Sequence, residues 1–174
     1  MIQRPRSKNA LKALSAFLLA MELGRGIAFA TEFESLGQAV ATSLGTKKAF
    51  KKSFAFEGKP LDVFYAKDAA GKPTKYAFVQ KRIYDPNCTH TWVVGIDAGT
   101  GKVSGIRVVE MSCPHAYPTK TESFLGQFTG KSFADAAKLK GDITPIAKAT
   151  GSANLAIDAV RASLVAASKL KGKL

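Results

Sequence analysis

The sequence predicts an α+β fold: an antiparallel sheet with an N-terminal helix before it and C-terminal helices after it. Three observations carry this. Apolar residues recur at helical spacing over 31–45, alternate at every second position in several runs up to residue 111, and return to helical spacing from about residue 151. Clusters of Gly, Pro, Thr and Asn separate the alternating runs at short intervals, which suits hairpins rather than crossovers. Helices segregated from strands argue against a doubly wound sheet.

The elements follow in order. "TEFESLGQAVATSLG", residues 31–45, places Phe33, Leu36, Val40 and Leu44 on one helical face and ends at Gly45, a residue suited to a left-handed helix terminus. "KKAFKKSFAFEGKP" carries Phe50, Phe54 and Phe56 among lysines and reads as a strand at a sheet edge, where lysine discourages pairing with other chains. "LDVFYAKD", 61–68, is a second strand, and "KYAFVQKRIYD", 75–85, a third. "TWVVGID" and "KVSGIRVVEM" form a hairpin joined by "AGTG". A Pro-rich loop follows, then short helices around "TESFLGQF" and "SFADAAKL", then a final helix from about Gly151 to Lys169.

The 174 residues, 46% hydrophobic and 22% charged, describe a globular chain rather than a disordered one. No apolar run reaches the length of a membrane span. The first thirty residues read as a secretory leader: Arg4, Arg6, Lys8 and Lys12 without an acid, the short apolar core "ALSAFLLAM", and "AFA" at 28–30 as a cleavage site. Glu22 and Arg25 make the stretch after the core polar, and the competing reading is an uncleaved amphipathic anchor. The leader reading leaves one domain over 31–174, periplasmic or otherwise exported.

The formal net charge is +13, and residues 31–174 hold 21 bases against 12 acids, leaving +9. Such a charge favours anionic partners. The lysines are nevertheless scattered, with no basic stripe interleaved with aromatics, so nucleic acid is not an expected partner.

Two cysteines each stand two residues before a histidine: Cys88 with His90 in "CTH", and Cys113 with His115 in "CPH". Haem attachment needs C-x-x-C-H, which is absent. Cys88, His90, Cys113 and His115 together form a legitimate tetrahedral zinc set, at unfamiliar spacing. A disulfide is the third reading. If the hairpin turn centres on Gly99, Thr100 and Gly101, facing residues have numbers summing to about 200, and 88 and 113 meet that condition. Export favours the disulfide and leaves metal and free thiols as alternatives. Of the histidines, His115 stands out for its place in the loop "CPHAYP".

Three segments, taken in order, resemble the FMN-binding domain family, which includes the flavin-carrying subunits of the Rnf and Nqr electron-transport complexes and related exported flavoproteins. They are "WVVGIDAGTGKVSGIRVVEM", "FLGQFTGK" at 124–131, and "ITPIAKATGSANLAIDAV" at 143–160. The resemblance covers roughly residues 60 to 165. The family's last motif reads approximately D-x-x-S/T-G-A-T-x-S/T before a helix, and many members carry FMN on its threonine through a phosphoester bond. Laid on that motif, Thr150 falls on the threonine, Ala149 on the alanine before it and Ser152 on the second hydroxyl residue. Thr144 replaces the leading aspartate, and Ala147 and Lys148 replace the small hydroxyl residue and the glycine, departures that bear on covalent attachment.

The resemblance implies an FMN-binding electron-transfer protein rather than a stand-alone enzyme. Its flavin phosphate would rest on the amides of residues 149–153, including Gly151, with the Thr150 and Ser152 hydroxyls as donors and Lys148 adding charge. Tyr117 is the expected ring-stacking residue; Trp92, Phe124 and Phe128 suit the core better. A redox partner protein is implied, with membrane complexes among the candidates. Two other readings stand beside this one: Thr-Gly-Ser before a helix also serves as a plain cap, and the same fold could be a non-enzymatic binding module without flavin, holding metal or docking on a membrane complex. No Ser-His-Asp set, metalloprotease motif or Gly-rich dinucleotide loop is apparent.

Overall fold

A computed structural model describes residues 33–84 and 86–174. The expected leader, residues 1–30, lies outside the described residues. The elements run in the order helix, five strands, helices: α1 (Leu36–Leu44), β1 (Phe50–Phe56), β2 (Lys59–Lys67), β3 (Pro73–Tyr84), β4 (Cys88–Asp97), β5 (Val103–Met111), α2 (Glu122–Leu125), α3 (Leu139–Asp142) and α4 (Thr150–Leu170). The strands form one antiparallel meander in the order β1-β2-β3-β4-β5, so the α+β expectation holds. Among the described residues no helix is long and apolar enough to cross a membrane.

Local chemistry sets the boundaries. α1 starts at Leu36, later than the sequence suggested, because Ser35 forms a capping box with Gln38: the Ser35 hydroxyl accepts from the Gln38 backbone N–H at 3.3 Å, and the Gln38 side-chain Oε1 accepts from the Ser35 backbone N–H at 3.1 Å. Phe33 therefore precedes the helix. Of the four apolar positions assigned to it, Val40 and Leu44 are buried while Phe33 and Leu36 are exposed. Gly45 ends α1 at φ 70°, as expected. Glu57 and Gly58, at φ 50° and 75°, make the tight turn between β1 and β2. The stretch "SFADAAKL" yields only a 3-10 turn at Phe133–Asp135, and α3 begins at its last residue.

Both faces of the sheet are covered. On one, Ala39, Val40 and Leu44 of α1 meet Ala66, Ala77 and Val93. On the other, α4 lays Ala153, Ala156, Ile157, Val160 and Leu164 against Phe78, Trp92, Val94 and Ile96. That helical stripe is rich in alanine, which lets the helix axis approach the sheet closely. β4 is consequently buried on both sides, which explains why residues 92–96, WVVGI, form a continuous apolar run rather than an alternating one. Phe124 and Phe128 meet edge-on, 5.5 Å between ring centres, and belong to the core as expected.

A polar contact crosses the α4 interface. Buried Gln80 on β3 donates from Nε2 to the Ser163 hydroxyl at 3.0 Å, and that hydroxyl donates to the Ala159 carbonyl at 2.8 Å. Ser163→Ala leaves the Gln80 amide without this partner in the core. It should lower unfolding stability by about 1–3 kcal/mol, read from the urea midpoint at unchanged m-value.

Candidate functional site

The β4–β5 register decides where the two Cys-x-His sequences meet. Ile96 faces Val103, Val94 faces Ile106, and His90 faces Met111, the pairing sum rising from 199 to 201 through two irregularities. Continued past the strand ends, this register sets Cys88 opposite Cys113, and the two form a disulfide with Cα atoms 5.4 Å apart. The hairpin arithmetic is thus borne out. The zinc alternative is not: both thiols are consumed by the disulfide, and no group of three or more metal-ligating residues occurs among the described residues.

Alternation along β4 places Cys88, His90 and Trp92 on the sheet face that α4 covers. His90 is fully buried and its ring stacks on Trp92 at 5.3 Å. Its Nδ1 lies 3.1 Å from the Cys88 carbonyl, which can only accept, so Nδ1 carries the proton. Nε2 is then the acceptor for the Ser152 hydroxyl at 3.0 Å, and it also lies 3.8 Å from the Cys88 sulfur. Ser152 is in the first turn of α4, so this bond ties the helix start to the sheet.

A cleft of about 480 Å³ opens beside this contact, lined by Tyr84, Pro86, Asn87, Cys88, Cys113, His115, Ala116, Lys148, Ala149, Gly151 and Ser152. It brings together the two groups the sequence singled out separately, the Cys/His segments and the start of the last helix. Its walls are mostly apolar.

The helix start is open. Ala149 occupies the N-cap position, and no side chain caps the helix. Hydroxyl capping by the Thr-Gly-Ser stretch therefore does not occur here. Of the five amides 149–153, Ala149 donates to the Ile146 carbonyl at 3.0 Å and Ala153 to the Ala149 carbonyl at 2.9 Å. Thr150, Gly151 and Ser152 make up the first turn, where amides lack an intrahelical acceptor. Lys148, just before the cap, adopts φ 65°, the left-handed region that disfavours side chains by about 1–2 kcal/mol.

The remaining expected residues fall differently. Thr150 is exposed and does not line the cleft, whereas Ser152 does. Tyr117 lies away from the cleft, edge-on to Phe33 at 5.7 Å with the Lys120 ammonium over its ring. Its place as an aromatic wall is taken by Tyr84, whose ring lies so close over Gly151 that a Cβ there would come within 2.6 Å of it. Tyr84 carried only a faint sequence signal, an aromatic ending an alternating strand before a turn. His115 lines the cleft and is exposed, but the buried, hydrogen-bonded histidine is His90, which the sequence did not favour.

No protein-family model, curated protein or solved structure matches the chain.

Burial holds the His90 imidazole below its ordinary value of 6.5, outweighing the opposing pull of the Cys88 carbonyl. The unfolded chain therefore takes up this proton at a higher pH than the folded one. The stability due to neutral His90 is complete above the ordinary value and is lost as pH falls below it. Hydrogen bonds hold the Asp62, Asp97 and Asp135 carboxyls below their ordinary 3.8, so they titrate beneath this window. The urea midpoint should fall between about pH 6.5 and pH 5 in the wild type, and much less in His90→Gln. An equal fall in the variant contradicts the assignment.

Proposed function

We propose that the protein is an exported FMN-binding electron-transfer protein that seats the flavin phosphate at the start of α4 and the ring system along the apolar walls of the cleft. The observation that carries this reading is the uncapped first turn of α4, with Lys148 beside it, opening on an apolar-walled cleft. Amides without acceptors and a neighbouring ammonium favour a phosphate dianion. The cleft volume of about 480 Å³ lies within the usual range for small-molecule sites. The left-handed Lys148 adds support, since the resembled family carries glycine at that point. The disulfide suits an oxidising compartment, in keeping with export.

In this arrangement the flavin, when bound, supplies the electron chemistry. The chain's residues bind and orient it: Thr150, Gly151 and Ser152 through their amides, Lys148 through its charge, and Tyr84, Pro86 and Ala116 through apolar contact. The redox partner, on a membrane complex or free, is part of the same proposal. Because Thr150 does not line the cleft and Thr144 and Lys148 replace the aspartate and the glycine of the family motif, the proposed attachment is noncovalent.

Protein mixed with FMN should stay yellow through gel filtration, and acid precipitation should release the colour into the supernatant. Riboflavin, which lacks the phosphate, should bind at least about tenfold more weakly by fluorescence titration, the loss expected for one charge-assisted cluster. Failure to retain FMN, or equal affinity for both flavins, removes the proposal.

Lys148→Gly separates stability from binding. It relieves the left-handed strain, so thermal stability should hold or rise by up to about 1 kcal/mol. It also removes the charge, so FMN affinity should drop several-fold while riboflavin affinity stays the same. An unchanged FMN affinity places the phosphate elsewhere.

A further inference from the structure

A disulfide whose only task is to tie two strands together needs neither a cleft at its sulfurs nor a buried base beside them. Cys88–Cys113 has both. Cys88 is buried and Cys113 half-buried, and both line the cleft. The Cys88 sulfur lies 3.8 Å from Nε2 of His90, whose same nitrogen accepts from the Ser152 hydroxyl at the cleft wall.

The strand ends are also held without the disulfide. The Ser112 amide donates to the Thr89 carbonyl at 3.0 Å, and the Thr89 amide donates to the Ser112 hydroxyl at 2.8 Å. That hydroxyl donates in turn to the Asn87 carbonyl at 3.3 Å, and beyond it the Ala116 amide donates to the Cys113 carbonyl at 3.0 Å. Opening the S–S bond leaves this network in place.

We propose that Cys88–Cys113 is a redox-active disulfide that exchanges with a dithiol entering the cleft, with Ser152 and His90 relaying the proton taken up by the departing Cys88 sulfur. A thiolate of the dithiol attacks Sγ of Cys113, the more accessible sulfur. A mixed disulfide forms, the Cys88–Cys113 bond breaks, and Cys88 leaves as a thiolate carrying the electron pair. Solvent in the cleft replaces the proton that the Ser152 hydroxyl passes to Nε2 of His90, and Nε2 passes it on to the Cys88 sulfur. The second thiolate of the reductant then attacks its own sulfur in the mixed disulfide and releases Cys113, which takes a proton from the cleft. The protein disulfide becomes two thiols and the dithiol becomes a disulfide; two electrons pass, and the two protons lost by the dithiol match the two gained by the cysteines. The proposal does not rest on flavin, since its reductant is a dithiol and its test contains no FMN.

The test treats the full protein, without denaturant, with dithiothreitol, and counts alkylated cysteines by mass while circular dichroism follows the fold. Both cysteines should become alkylated with the spectrum unchanged. Ser152→Ala, and His90→Gln where it folds, should slow reduction by roughly tenfold or more. Destabilisation exposes a disulfide and speeds its reduction, so a slowdown is not explained by weaker folding. Thiols that appear only with denaturant, a spectrum that collapses on reduction, or a Ser152→Ala rate equal to wild type overturns the proposal.

Discussion

The alternation of β4 is the constraint on which both core and site depend. Cys88, His90, Trp92, Val94 and Ile96 share the face that α4 covers, so one strand supplies a cysteine of the cleft, the buried histidine that holds Ser152, and the apolar floor beneath the helix. A slip of one residue would turn Val93, now packed under α1, to the α4 side and carry His90 away from Ser152. With helices on both faces, either error would bury the wrong groups. The register is therefore held by hydrophobic burial, and the positions of the polar groups follow from it.

The polar groups at that end of the sheet are arranged so that the charge available to a ligand is positive. His90 stays neutral because its burial outweighs the single carbonyl that favours its charged form. The first turn of α4 and Lys148 then face the cleft with the partial charge of a helix start plus one ammonium. The conformation of Lys148 costs about 1–2 kcal/mol, and an ammonium beside a helix N-terminus gains nothing from the helix dipole, which favours cations at the other end. A left-handed residue and an uncapped helix start thus stand side by side at the mouth of the cleft.

The fold was legible because it is written in local periodicities. Five alternating or apolar runs became five strands, and the stripe from Ala153 through Leu164 became the long helix. Capping detail was less legible: the Ser35–Gln38 box moved the start of α1 and left Phe33 outside it, a local choice that apolar spacing alone does not show. The site was legible in halves. Hairpin arithmetic joined Cys88 to Cys113, and the small residues before α4 marked an open helix start. That these halves share one cleft depends on where α4 crosses the sheet, a tertiary fact with no signature in spacing. For the same reason His90 was passed over in favour of His115. Burial of a strand histidine depends on what covers it, while a loop histidine can be noticed from its neighbours. Tyr117 and Tyr84 exchanged roles on similar grounds: the 3-10 turn at Pro114–Lys120 carries Tyr117 toward Phe33, and only the end of β3 reaches Gly151.

The cleft is built chiefly from rigid parts. Cys88 stands on a strand buried on both faces, Ser152 on a helix tied to that strand through His90, and Cys113 where β5 passes into a turn that Thr119 closes by donating to the Ala116 carbonyl at 2.7 Å. Groups held in this way lose little freedom when a ligand arrives, which favours tight and selective binding over adaptation. More open lining residues stand at the mouth, among them His115, Lys148 on an exposed turn and Tyr84, half of whose surface is open at 52%. Gly151 is what lets the Tyr84 ring lie against the helix start at all, since any side chain there would push the ring outward. The fixed wall of the cleft is thus the start of α4 with the two sulfurs, and the tyrosine ring and the lysine stand at its open edge.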